Sequence, residues 1–362
     1  MSLRTVVGRV KVVVWQGKDP TDKHWGCPIR ECWGLKAHQQ MSPALEERVA
    51  FTATLAGSYE AAAQVAGKWG CPVDDSVIHA LVQRVGSVAQ AQTQQRLKEP
   101  ARESEPQRAA SELALLMLDG WFARFRGPGW GTKRTKKERV EWHEVKNGVF
   151  YLHEQAGRTD GGRGLIAEKV VVRCLGQPME LGQRLHWEAV RGGLARAQHK
   201  LVLGDGIPWI WNLKADRWPD AWELLDFWHG GQHLWELGRA CHGPDELKVA
   251  SWVEERLHRL RHGREQSVLK EISALKASRS QVGQIIRKAK NYFAGHAHRM
   301  NYKAIAARGW PIGSGPVESS CRQDQCRFKR PGQSWTRVGF LNLSAVDEVR
   351  RNGHWDELWV SA

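Results

Sequence analysis

Residues 201–213, LVLGDGIPWIWNL, decide the fold that the sequence predicts. A short apolar run leads directly into a single carboxylate, Asp205, and the chain then turns at Gly206 and Pro208. This pattern is typical of a buried strand that delivers an acidic side chain to the edge of a sheet. An ordinary Asp-Gly turn has the same pattern, so the stretch alone does not identify a site.

A second stretch of this kind, residues 113–120 (LALLMLDG), lies upstream and leads into Asp119. If the two strands are neighbours in one sheet, Asp119 and Asp205 lie side by side. Carboxylates held that close repel each other unless a cation lies between them. The pair therefore predicts a divalent-metal site.

The composition sets the class of protein and of partner. The chain has 362 residues, enough for two or three domains, and is 41% hydrophobic, enough for a sizeable core. It carries 54 Lys and Arg against 39 Asp and Glu, a formal net charge of +15. This excess predicts a polyanionic partner, although a basic but otherwise ordinary soluble protein has the same balance.

The N-terminal residues and the cysteines predict the compartment. Residues 1–16 carry Arg9 and Lys11 inside an apolar stretch and lack a small-residue cleavage site, so we expect no signal peptide. No apolar run is long enough to span a bilayer. The seven cysteines are odd in number and scattered. These features predict a reduced, cytoplasmic protein with no membrane partner.

Residues 1–40 form a small segment with two alternative interpretations. His24, Cys27, Cys32 and His38 are candidate ligands of a zinc knot, but their spacings of two, four and five residues match no common zinc finger well. The alternative, which we favour, is a structural turn with free thiols.

Residues 41–87 have the pattern of three short helices joined by tight turns. Ser42 and Pro43 suit the start of the first helix, and Asp75 the start of the third. The pattern fits a DNA-binding helix-turn-helix or a plain three-helix bundle, and few basic residues on the third helix leave both open. Residues 88–110, rich in Gln, Glu and Arg, are predicted to be a linker.

Residues 111–362 are predicted to form an α/β domain. After the Asp119 strand, the predicted elements are strands at 140–152 and 167–175, a helix at 178–198, the strand at 201, a strand or short helix at 222–229, and an all-helical insertion at about 238–306. This order matches the ribonuclease H-like fold and its mixed sheet, in which three strands are followed by a helix and a fourth strand. The carboxylates lie on the first and fourth strands.

The third candidate carboxylate lies in residues 309–335, GWPIGSGPVESSCRQDQCRFKRPGQSW. Pro316 suits the first position of a helix, and Glu318 falls in the first turn, where the helix dipole favours its ionised form. Glu318 shares a polar helix face with Arg322 and Lys329. The alternative is an ordinary surface pair between Glu318 and Arg322.

Basic residues near these motifs are candidate DNA contacts. They are Lys133, Arg134, Lys136, Lys137 and Arg139 in the loop after the Asp119 strand, and Lys329 and Arg330 after the Glu318 motif. Such clusters suit a phosphate backbone, although charge runs are more often solvated loops.

Several separate motifs, in order, resemble the DDE transposases of bacterial insertion sequences, in particular the ISKra-type group. The motifs are GDGIPWIWNL, LLDFWHGGQHL, YKAIAARGW with PIGSGPVESSCRQ, and NGHWDELW, and the resemblance runs from about Asp119 to Trp359. It implies a ribonuclease H-like domain with the catalytic and metal-binding triad Asp119, Asp205 and Glu318. LLDFWH resembles the family's Asp-x-x-His element, so Asp226 and His229 are expected to support the site, together with His233 and Arg322.

The resemblance also implies an activity. The family cleaves phosphodiester bonds at the ends of its element and joins the 3′-OH to target DNA with two Mg²⁺ ions, for which Mn²⁺ substitutes. The expected partners are double-stranded DNA and further copies of the chain, in the nucleoid-associated cytoplasm of a bacterium. Two alternatives stay open: a catalytically idle DNA-binding regulator derived from a transposase, and a structure-specific nuclease of the same fold.

Overall fold

The computed structural model divides the chain into two compact units. It describes residues 1–18, 21, 23, 25–35, 39–103, 110–131 and 139–360. The sheet unit comprises Glu99–Phe122 and Glu144–Gln323, and the terminal unit comprises Met1–Lys98, Ala123–His143 and Asp324–Ala362.

The first part of the chain forms short strands followed by helices. The elements are β1 (Ser2–Thr5), β2 (Gly8–Lys11), β3 (Gly17–Lys18), β4 (Trp25–Gly26), α1 (Pro28–Cys32), α2 (Pro43–Leu55), α3 (Tyr59–Lys68) and α4 (Asp75–Arg96). The Ser42 and Ser58 hydroxyls cap α2 and α3 by accepting backbone N–H groups of their first turns, as the sequence predicts for Ser42.

The remainder of the chain forms a sheet with helices, and then helices alone. The elements are β5 (Ser111–Arg126), β6 (Val140–Leu152), β7 (Ala156–Arg158), β8 (Gly164–Ile166), β9 (Val170–Cys174), α5 (Pro178–Arg191), β10 (Ala197–Gly204), α6 (Pro208–Arg217), β11 (Trp222–Leu225), α7 (Phe227–His242), α8 (Glu246–Arg261), α9 (Glu265–Ala274), α10 (Gln281–Gly295), α11 (Tyr302–Ala307), α12 (Gly315–Phe328), α13 (Arg337–Arg351) and α14 (Trp355–Val360). The predicted α/β class and the helical character of residues 238–306 are confirmed, and none of the described helices combines the length and apolar character needed to cross a membrane.

The central sheet has the strand order β11-β10-β5-β6-β9. β10 is parallel to both β5 and β11, whereas β6 and β9 are antiparallel, so the sheet is mixed. Residues 113–118 of β5 are all buried, because both faces of this inner strand are covered. This explains why the sequence there is a continuous apolar run without alternation.

The predicted end of the first strand at Asp119 is wrong, because β5 continues to Arg126. The Asp-Gly pair suggested a turn, but Gly120 lies within the strand. A Cβ on Gly120 would lie 2.6 Å from Oε1 of Glu144, so glycine here provides room for that carboxylate. A glycine that permits a close approach and one that permits a turn look the same in sequence.

Helix α4 also departs from prediction, because it runs on to Arg96 and so into the predicted linker at 88–110. Ala89 is buried on this helix. The Gln, Ala and Arg residues of this stretch are good helix formers, and their polar character does not prevent a helix with a narrow buried face.

The C-terminal helices belong to the terminal unit, not with the rest of the predicted 111–362 domain. α13 packs on α4, where Gly86 lies against the backbone of Asn342. The Asn342 side chain donates to Gln83 and accepts from Gln90, so the helix pair is fixed by polar as well as apolar contacts. Local sequence patterns carry no information about partners this distant along the chain.

This close packing generates a stability prediction. A Cβ on Gly86 would lie 2.6 Å from the Cα of Asn342, so Gly86→Ala should destabilise the protein by about 1–3 kcal/mol in urea unfolding. Gly67→Ala is the matched control, because Gly67 is also helical and a Cβ there would meet no atom within 4 Å. This control should be neutral or stabilising by up to about 1 kcal/mol. Equal effects of the two substitutions would contradict the packing.

Candidate active site

Parallel pairing of β5 with β10 places two of the predicted carboxylates together. Leu118 and Gly204 are the last pair in the register, and Asp119 and Asp205 are the next residues along the two segments. Burial is the largest cause that raises the pKa of Asp205, and the charge of Asp119 raises it further, so the two groups lie within electrostatic range. The structure therefore brings these two predicted site residues to one level of the sheet.

Asp205 lies in the turn between β10 and α6. Its Oδ1 accepts a hydrogen bond from the backbone N–H of Ile207 at 3.0 Å. Burial is the main cause that raises the pKa of Asp205 to about 6, and the charges of Asp119 and Glu144 add to it. An ionised Asp205 is thus costly without a further positive group.

Asp119 is held from two sides. Its Oδ1 accepts the backbone N–H of Gly120 at 2.7 Å, and the thiol of Cys321 on α12 donates a second hydrogen bond. Burial raises the pKa of Asp119 despite these two donors. The Cys321 contact brings the first turns of α12 against β5.

Glu318 lies one helical turn before Cys321 and so on the same side of α12. Its Oε1 accepts a hydrogen bond from the Ser314 hydroxyl at 3.3 Å. Burial raises the pKa of Glu318, and the charges of Asp226 and Asp119 raise it further. All three members of the predicted triad are therefore carboxyl groups whose ionisation the surroundings oppose.

Asp226 fixes the backbone around this site. It is 1% exposed, and its two oxygens accept the backbone N–H groups of His229 and Ser314. The first contact caps α7, and the second holds the turn that precedes Glu318. Asp226, which the sequence predicts to support the site, therefore holds these two backbone segments through one side chain.

The other three residues predicted to support the site, His229, His233 and Arg322, have different surroundings. Burial raises the pKa of Asp119 and of Asp205, and the charge of His229 lowers both in part, so His229 lies within electrostatic range of these two carboxyl groups. His233 packs on Tyr292 with ring centroids 3.8 Å apart, and burial lowers the pKa of His233 to about 4. His233 is therefore neutral at pH 7, which suits a packing role. Arg322 is exposed, and its charge lowers the pKa of Glu318.

Sequence reasoning missed three residues near the carboxylates. Cys321 carries a detectable signal, since it lies three residues after Glu318 and shares its helix face. Tyr292 lies in the helical insertion, and nothing in its sequence neighbourhood indicates a contact with the site. Burial raises the pKa of Tyr292, and the nearby charge of Asp205 raises it further. Glu144 on β6 is the third.

Glu144 is a further carboxylate at this edge of the sheet. It accepts a hydrogen bond from Nε1 of Trp209 at 3.2 Å and pairs with Nζ of Lys146 at 2.9 Å. Glu144 thus has a buried cation, Lys146, in direct contact, which distinguishes it from Asp119 and Asp205.

The predicted DNA and zinc residues are only partly described. Lys133, Arg134, Lys136, Lys137, His24 and His38 lie outside the described residues. In the terminal unit, Lys329 and Arg330 are exposed, and Arg139 is half-buried. Cys27 is buried and Cys32 exposed.

Carboxylate oxygens are suitable ligands for a hard cation such as Mg²⁺. In this structure, however, the carboxylates are not arranged around a common metal position. Within the described ranges, no three His, Cys, Asp or Glu side chains already form a metal-binding group. Their oxygens instead accept hydrogen bonds from nearby N–H, O–H and S–H groups. Comparison with protein-family models and with curated proteins gave no match.

The position of Asp226 generates a prediction for stability. In Asp226→Asn, an amide group replaces one of the two accepting oxygens and faces a backbone N–H donor. We expect a loss of about 1–3 kcal/mol in the free energy of unfolding, measured with urea. Asp160→Asn, at an exposed turn of the same unit, should change it by less than about 0.5 kcal/mol. A stable Asp226→Asn protein would show that the capping contacts contribute little.

The raised pKa of Asp205 generates a prediction for pH dependence. Because the folded pKa of about 6 exceeds the ordinary 3.8, the folded state holds this proton more tightly. The resulting stabilisation is complete below about pH 4 and is lost as the pH rises through 6. Relative to Asp205→Asn, the wild type should lose about 1–2 kcal/mol between pH 4 and 7, measured by urea unfolding without divalent cations. If the free energy of unfolding of the wild type and of Asp205→Asn changed equally with pH, the raised pKa of Asp205 would be refuted.

Proposed function

We propose that the chain is a DDE-class DNA transposase with a ribonuclease H-like catalytic domain. The observation that carries this proposal is that three carboxyl groups from separate parts of one unit, Asp119 on β5, Asp205 after β10 and Glu318 on α12, lie within electrostatic range of one another through Asp119, whose charge raises the pKa of both Asp205 and Glu318 in addition to burial. Each is held at a defined place by contacts to backbone or side-chain donors.

The order of elements supports the ribonuclease H-like part of the proposal. Among the strands of the central sheet, β5, β6 and β9 are followed by α5 and then by β10, with Asp119 on the first and Asp205 after the last, while β7 and β8 form a separate two-stranded sheet. That is the expected order of three strands, a helix and a strand with acids on the first and fourth. The helices α8–α11 would then be the insertion between the second and third acids.

The donor set fits Mg²⁺, with Mn²⁺ as a substitute. Aspartate and glutamate oxygens are the ligands that these hard cations prefer. Burial and mutual repulsion oppose the ionisation of Asp119, Asp205 and Glu318, and a divalent cation removes that opposition. When bound, a pair of Mg²⁺ ions supplies activation of the attacking oxygen and stabilisation of the leaving 3′ oxygen.

The surrounding residues keep these ligands in position. Cys321 orients Asp119 through its thiol, and Asp226 holds the turn from which Glu318 projects. His229 lies within electrostatic range of Asp119 and Asp205 and offsets part of their charge. A single centre arranged in this way serves both strand cleavage and the later attack of the 3′-OH on target DNA, because positioning and charge stabilisation supply most of the catalysis.

The rest of the chain would serve DNA binding and assembly. The net charge of +15 and the exposed Lys329 and Arg330 favour a phosphate backbone. Helices α2, α3 and α4 are the candidate helix-turn-helix, and synapsis of two element ends calls for self-association. The proposed setting is the nucleoid-associated bacterial cytoplasm.

A DNA-binding regulator without catalysis is the main alternative. Such a protein has no need for buried, mutually repelling carboxyl groups, which destabilise the folded state when ionised. Asp119, Asp205 and Glu318 therefore favour the enzyme. A nuclease of the same fold shares the site and differs only in the joining step.

The proposal predicts the effect of removing each ligand. With Mg²⁺ or Mn²⁺ and a labelled duplex that carries the end of the encoding element, Asp119→Asn, Asp205→Asn and Glu318→Gln should each lower cleavage and strand transfer by at least about 10³-fold. DNA affinity should change little. The matched control is Glu254→Gln, which removes an exposed carboxylate of the same unit and should keep full activity.

The outcomes separate the alternatives. Cleavage without joining would assign the chain to the nucleases, and DNA binding without cleavage by the wild type would favour the regulator. Cleavage that survives all three substitutions would refute the site.

A further inference from the structure

The first residues of the chain line a basic cavity in the terminal unit, and none of its lining residues belongs to the candidate active site. The cavity has a volume of about 410 Å³, within the range of about 300–1,000 Å³ that ligand sites occupy. The described residues that line it are Met1, Ser2, Arg4, Arg9, Arg30, Gln39 and Gln40. None of them is acidic, and three are arginines.

The register of the β1–β2 hairpin brings two of these arginines together. Arg4 on β1 is directly opposite Arg9 on β2 in the antiparallel pair, so the two side chains leave the same face. Like charges in this position repel each other and destabilise a hairpin. Among the described residues, neither arginine forms an ion pair that would offset the repulsion.

The third arginine comes from a separate element and is held in place. Arg30 on α1 donates from Nη2 to the backbone carbonyl of Gln39 at 3.5 Å, while its Nε is buried without a hydrogen-bond partner. The backbone N–H of Arg4 in turn donates to the carbonyl of Gln40 at 2.8 Å. These two hydrogen bonds, one from a side chain and one from the backbone, join α1 and the hairpin to the segment 39–40.

We infer that this cavity binds a phosphate group of the DNA backbone. Guanidinium groups match phosphate oxygens with paired donors, and the exposed amide of Gln40 suits a further contact to a phosphate or sugar oxygen. A bound phosphate places negative charge beside Arg4 and Arg9 and removes the cost of holding them together. The choice of DNA as the source of the phosphate rests on the proposed function.

The first experiment measures DNA affinity of the full chain by fluorescence anisotropy, with a random-sequence duplex and a series of salt concentrations. Arg9→Gln should weaken binding by about 3–10-fold and reduce the slope of log K against log salt by about 1. The matched control is Lys11→Gln. Lys11 lies on the same strand but is opposite Ser2 and outside the cavity, so the same loss of charge should have a smaller effect.

The second experiment measures thermal unfolding with and without inorganic phosphate. Without phosphate, Arg9→Gln should unfold about 1–3 °C higher than the wild type, because the repulsion from Arg4 is removed. Lys11→Gln should show no such gain. Phosphate should raise the Tm of the wild type more than that of Arg9→Gln.

The outcomes distinguish this inference from the proposed function. Equal DNA affinity and salt slope in Arg9→Gln and the wild type would overturn it, as would stabilisation by phosphate with no change in DNA binding, which would assign the cavity to free phosphate. Weakened DNA binding in Arg9→Gln would support it even if the wild type did not cleave DNA. Cleavage by the wild type would support the proposed function whatever the cavity binds.

Discussion

The buried carboxylate of Asp226 is the constraint on which the candidate site depends. It accepts backbone N–H groups from both His229 and Ser314, and so fixes the start of α7 and the turn before α12 with one side chain. Glu318 follows that turn within the first turn of its helix. This double contact therefore fixes the backbone that leads into Glu318, whose pKa is raised by burial and by the charges of Asp226 and Asp119.

Among the described residues, both units also contain charged groups that no oppositely charged partner balances. Asp119, Asp205 and Glu318 are carboxyl groups whose ionisation burial opposes, whereas Glu144 beside them is balanced by Lys146. In the terminal unit the signs are reversed, since Arg4 and Arg9 are opposite each other without an acid in the described lining of their cavity. In both places the folded chain carries an electrostatic cost that a ligand of opposite charge would relieve, which is expected of binding sites and not of charges kept for stability.

Much of the sheet and of the site could be predicted from local sequence. Asp119 and Asp205 were identifiable because a buried strand leaves a continuous apolar run before each acid, whereas Glu318 depended on motif resemblance. The predictions that were wrong or missing depend on contacts between residues distant in sequence. Gly120 is needed because Glu144, on another strand, lies against it. The packing of α13 on α4 depends on contacts such as the hydrogen bond from Gln90 to Asn342, which are far apart in sequence. Tyr292 reaches the site only through the folding of the insertion.

Direct measurement of Mn²⁺ binding would test the central claim, that the three acids form a divalent-metal site. Free Mn²⁺ would be followed by electron paramagnetic resonance during titration at about pH 7.5, for the wild type, Asp205→Asn and Glu318→Gln. We predict saturable binding by the wild type that competes with Mg²⁺ and is strongly weakened in both variants. Absence of binding by the folded wild type, or equal binding by all three proteins, would contradict the claim.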